Sequence, residues 1–163
     1  MNFSRKNPPT SIEEILKFEA QRGILLPDSY RKLLLQHNGG TTSAESCYVD
    51  IPGWNELLVN EIFGLTDTVE TSLLYRRFSN FSSDIEARLL VFGHDIAGQR
   101  LVLDLRSGTY GKVYVRNHVY AHRGPLLIDD TGFAPEDYEE AELFVPIADS
   151  FEAFIAMLGP EPN

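Results

Sequence analysis

Apolar residues recur at helical spacing in several parts of the chain, and at alternating or continuous spacing through much of the rest. Ile12, Ile15, Leu16 and Phe18 share one stripe, which predicts a first amphipathic helix ending at Gly23. Ser11 precedes it with Glu14 three residues on, a pattern in which hydroxyl and carboxylate each accept the other residue's backbone N–H. A second short helix opens at Pro27, whose fixed φ and missing N–H suit a first helical turn. Asp28 then stands at the positive end of the dipole, and Tyr30, Leu33 and Leu34 supply a buried face. Asn38 and Gly39 can take the left-handed geometry that ends a helix, and Gly40 enforces the turn. The two helices are expected to pack as a hairpin.

Past Gly40 the pattern changes to strands. Cys47 to Ile51 and Glu61 to Leu65 are short candidates separated by the turn-forming Pro52-Gly53. Val69, Leu73, Leu74 and Phe78 return to helical spacing and predict a middle helix over Val69 to Phe78. Leu89 to Phe92 is a continuous apolar run. Leu101, Leu103 and Leu105 alternate with Val102 and Asp104, and Val113 to Arg116 is rich in β-branched and aromatic residues. The turn-forming Arg106 to Gly111 between them predicts a β-hairpin. Residues 121–140 have no period and read as a long exposed loop. Glu142 to Ile147 reads as a last strand that Pro146 confines to an edge or end. In the closing helix Asp149 is the expected cap, Phe151, Phe154, Ile155 and Leu158 form the buried stripe, and Gly159-Pro160 is the stop. This order predicts a single α+β domain over residues 1–163. It has an antiparallel or mixed central sheet, an N-terminal helical hairpin, a middle helix and a C-terminal helix, with residues 1–9 flexible.

Composition narrows the function. With 163 residues and 43% apolar content, the chain can bury a core without cross-links. Cys47 is the only cysteine, so no internal disulfide forms and a reducing compartment is the simpler expectation. No apolar run is long enough to span a membrane, and the expected location is cytoplasmic. Net charge is −10, but residues 1–128 balance with 14 acidic and 14 basic side chains. The excess lies beyond them, where residues 129–142 hold seven carboxylates and no Lys or Arg. Such a segment repels nucleic acid and anionic lipid and attracts a basic protein.

Enzymatic motifs are absent: no phosphate-binding G-x-x-x-x-G-K-[ST], no G-x-S-x-G, no H-E-x-x-H and no C-x-x-C. His118 and His122 would share a face on a helix, but they follow a strand-like run that holds them more than about 10 Å apart. His94, Asp95 and Asp104 could form an acid-base group, although His94 to Gly98 reads more simply as a turn. Trp54 could be an exposed anchor or a cover for the core. No metal and no cofactor is expected.

Phe18-Glu19, Gly23, Leu26-Pro27, Tyr30 and Asn38-Gly39-Gly40, in that order, resemble the opening signature of the SUKH superfamily. That group includes the fungal cell-wall assembly regulator domain and bacterial immunity proteins that neutralise a cognate toxin. Looser likeness continues in Glu61 to Leu65, Val91 to Asp95, Gly111 to Tyr114 and the helix starting at Ser150-Phe151. The resemblance implies a non-enzymatic protein whose partner is a toxin, commonly a nuclease with a basic cleft. A regulatory or scaffold domain is the alternative, and a carboxylate- or histidine-dependent hydrolase a third reading. Under the first, the expected partner-binding residues are Asp129, Asp130, Phe133, Glu136, Asp137, Tyr138, Glu139, Glu140 and Glu142. A solvated loop that only confers solubility would carry the same carboxylates, though it would not need Phe133 and Tyr138 among them.

Overall fold

A computed structural model describes residues 1–53, 56–65, 88–116 and 144–160. Its described elements are β1 (Phe3–Lys6), α1 (Ile12–Arg22), α2 (Asp28–His37), β2 (Gly40–Thr42), β3 (Tyr48–Val49), β4 (Leu57–Ile62), β5 (Leu89–Asp95), β6 (Arg100–Asp104), β7 (Val113–Arg116), β8 (Phe144–Ala148) and α3 (Phe151–Met157). The strands form one sheet in the order β1-β2-β4-β5-β6-β7-β8, with β3 also pairing to β4. Every pairing is antiparallel. The chain is therefore α+β.

One face of the sheet carries α2 and α3. Leu90 pairs with Leu103, and Leu101 and Leu103 pair with Val115 and Val113, so these buried side chains line one face across three strands. Above them Phe92 meets Tyr30 of α2 and Phe151 and Phe154 of α3 edge-on, with ring centroids 5.4–5.9 Å from Phe92. Four wholly buried aromatic rings thus join both helices to the central strand. The isolated pairing of Tyr48 with Gly159 fastens the end of α3 back to β3.

Several expectations hold in outline and shift in detail. Ser11 and Glu14 do form the reciprocal cap of α1, and Gly23 ends that helix in the left-handed region at φ 62°. Its buried face is Ile15, Phe18 and Glu19, however, while Ile12 and Leu16 are exposed. Counting only apolar residues placed the stripe too far round, because the buried carboxylate of Glu19 belongs to it. Pro27 sits at the cap position with ψ 143°, one residue ahead of the helix; its carbonyl accepts from Tyr30 and Arg31.

The expected strand Cys47 to Ile51 shortens to Tyr48–Val49, and Glu61 to Leu65 moves back to Leu57–Ile62. Leu57, Val59 and Ile62 enter the core, whereas residues 63–65 leave the strand because α2 holds their backbone. β5 continues through His94 and Asp95, so the turn begins only at Ile96. Pro146 lies on β8, which among the described residues pairs only with β7, as an edge strand permits. Ser150, not Asp149, caps α3: its hydroxyl accepts from the Ala153 N–H, while Asp149 points to solvent. Residues 1–9, expected to be flexible, supply β1. The expected middle helix over Val69 to Phe78 and the loop over 121–140 lie outside the described residues.

Candidate interaction surface

A buried set of polar contacts lies where α2 ends. Asn38 takes the left-handed conformation at φ 51° and is wholly buried. Its Nδ2 donates to the carbonyls of Pro8 and Leu65, each at 2.6 Å, and its Oδ1 accepts from the Leu65 N–H at 2.8 Å. Asn7 Nδ2 donates to the Asn38 carbonyl at 2.8 Å. Only glycine fits beside this clasp. A Cβ on Gly39 would collide with the Ile62 carbonyl oxygen, one on Gly40 with that of Arg5, and one on Gly64 with that of Asn38. Tyr30 completes the arrangement by donating to the Phe63 carbonyl at 3.0 Å, and burial raises its hydroxyl pKa, keeping it a donor.

A second knot joins α1 to α2. Glu19 is buried and its Oε1 accepts from the Leu26 N–H at 2.6 Å and from Arg31 Nη2 at 2.8 Å. The carboxylate thereby fixes the linker across residues 23–27. From the β6–β7 turn, Tyr110 donates to the Leu25 carbonyl at 3.0 Å. Burial, the largest influence, raises the Tyr110 pKa, with the neighbouring Arg31 acting against it.

Phe18, Glu19, Gly23, Leu26, Pro27, Tyr30, Asn38, Gly39 and Gly40 therefore belong to one scaffold, and all except Gly23 are buried. The family model described as "SMI1 / KNR4 family (SUKH-1)" matches residues 9–157. The chain belongs to the SMI1/KNR4 family. No curated protein and no solved structure matches it.

Capping, packing and backbone satisfaction account for these nine residues within the fold. The matched span extends through residues 129–142. Every expected partner-binding residue from Asp129 to Glu142 lies outside the described residues, as do Trp54, His118 and His122.

The candidate acid-base group does not assemble. His94 pairs with Arg100 and Asp104 with Leu89, which places His94 and Asp104 about 13 Å apart along the strands. The two aspartates are also engaged. Asp95 Oδ1 accepts from the Gln99 N–H at 2.7 Å and shapes the β5–β6 turn. The wholly buried Asp104 accepts from Arg106 Nη2 and from Thr109 Oγ1, each at 2.7 Å. His94 Nε2 is 3.4 Å from Glu61, and its ring tilts against Phe63. Cys47 is buried, with Sγ 3.7 Å from the Ala44 carbonyl. Among the described residues no His, Cys, Asp and Glu cluster suits a metal ion, and no helix is long and apolar enough to cross a membrane.

Two surface features were not legible beforehand. Glu61, His94, Arg100 and Arg116 are successive cross-strand partners, so a polar row crosses four strands. Burial, and then the charge of Arg100, push Arg116 down to about 10. Leu16 and Leu25 are also more than half exposed. Alternation between buried Ile24 and Leu26 is the signal that could have placed Leu25 outward.

Proposed function

We propose that this SMI1/KNR4-family domain is a cytoplasmic immunity protein that binds a toxin and blocks it without chemistry of its own. Residues 129–142 meet the toxin's basic cleft. The partition of charge carries this reading. The described residues hold 12 acidic and 11 basic side chains, so they are close to neutral. Residues 129–142 hold seven carboxylates, no Lys or Arg, and the aromatic residues Phe133 and Tyr138 between them. A nuclease requires basic surface to hold phosphate, and an acidic partner can occupy that surface while its field accelerates the encounter. Aromatic side chains add buried contact area at low entropic cost.

The test is co-expression with the toxin domain encoded beside this protein, scoring growth and recovery of a complex. Rescue with a recovered complex supports the immunity reading. Continued killing with no complex rejects it and favours a regulatory domain.

A further inference from the structure

β1 lies at the margin of the sheet, pairs among the described residues only with β2, and its register shifts between Phe3 and Arg5. The Ser4 hydroxyl donates to the Thr41 and Thr42 carbonyls, and Phe3 packs against the core. Phe3 is its inward anchor, and that ring lies 5.3 Å from the imidazole of His37 in the last turn of α2. His37 Nδ1 is buried and makes no hydrogen bond among the described residues. The same holds for Ser43 Oγ, just past β2, where the Ser43 N–H donates to the Asn2 carbonyl. The imidazole facing Phe3 thus has a buried nitrogen with no hydrogen bond among the described residues.

His37 also stands among positive charges. Burial first, then Lys6 on β1 and the α-amino group of Met1, hold its pKa below the usual histidine value. The carboxyl end of α2 acts in the opposite direction, since a helix C-terminus favours a cation. The chain has a firm pivot immediately after the strand. Asn7 donates from its backbone to the Gly39 carbonyl and from its side chain to the Asn38 carbonyl.

We propose that β1 is a conditional edge strand: protonation of His37 displaces Phe3, and β1 swings away about Asn7, uncovering the outer backbone edge of β2. The neutral imidazole is the docked form, because burial and the positive charges of Lys6 and the Met1 amino group disfavour the cation. The freed state takes up the proton more readily, so docking weakens as pH falls below the ordinary histidine value near 6.5.

Amide hydrogen exchange on the full chain at pH 7.5 and 5.0, corrected for intrinsic exchange rates, tests this. Protection of the β1 amides is expected to fall several-fold at pH 5.0, with β5 and β6 unchanged. His37→Phe keeps an aromatic contact and removes the titration, so its β1 protection should not respond to pH. Equal wild-type protection at both pH values, or the same loss in His37→Phe, overturns the proposal. Phe3→Ala supplies the reciprocal test in a chain with native His37. The His37 titration midpoint, followed by NMR, should rise towards the ordinary value, and an unmoved midpoint overturns the linkage.

Discussion

The buried carboxylates of the sheet and hairpin contrast with those of residues 129–142. Glu19, Asp95 and Asp104 are each surrounded by donors from their own chain. Arg31 and Arg106 compensate the charges of Glu19 and Asp104, Gln99 hydrogen-bonds Asp95, and each carboxylate holds a linker or turn in place. The seven carboxylates of residues 129–142 have no Lys or Arg within the segment. A carboxylate already enclosed by donors can contribute stability but has little left to offer a partner, whereas an uncompensated cluster projects a field. The first group therefore belongs to the architecture, and the second is the better candidate for recognition.

Substitutions sharpen that contrast most strongly at Asn38. Asn38→Ala leaves the N–H of Leu65 and the carbonyls of Pro8 and Leu65 without their partner, and should cost about 3–4 kcal/mol in urea unfolding. Glu19→Ala strands Arg31 and the Leu26 N–H and should cost about 2–3 kcal/mol. Replacing both charges, as in Glu19→Leu with Arg31→Leu, should recover part of that loss, because no buried charge is then left without its partner. Ser150→Ala should cost about 1 kcal/mol through the lost cap, whereas Asp149→Ala should change stability little. For each variant the folded fraction should bind toxin at the wild-type rate. A slowed association in any of them would place that residue in the working surface and break the contrast.

Much of the fold was legible in the sequence because local signals agreed with tertiary ones. The Ser11–Glu14 cap, the left-handed stop at Asn38 and Gly39, and the β6–β7 hairpin all rest on short-range chemistry. The differences arise where a distant partner intervenes. Glu19 is buried only because Arg31 and the Leu26 N–H meet it, so a period counted on apolar residues missed it. Phe63 to Leu65 has strand composition, yet Tyr30 and Asn38 claim its backbone and shorten β4. His94, Asp95 and Asp104 are close enough in sequence to suggest chemistry, but the register places His94 and Asp104 near opposite ends of one strand pair. The acidic segment is legible as composition, because its charge can be counted from the chain.

The most direct measurement is the association rate constant for the toxin with the quadruple variant Glu136→Lys, Asp137→Lys, Glu139→Lys and Glu140→Lys. At low salt the rate should fall by at least about tenfold, the difference should shrink as ionic strength rises, and the thermal midpoint should stay close to that of the wild type. An unchanged association rate with undiminished protection against the toxin would contradict the assignment of residues 129–142 as the recognition surface.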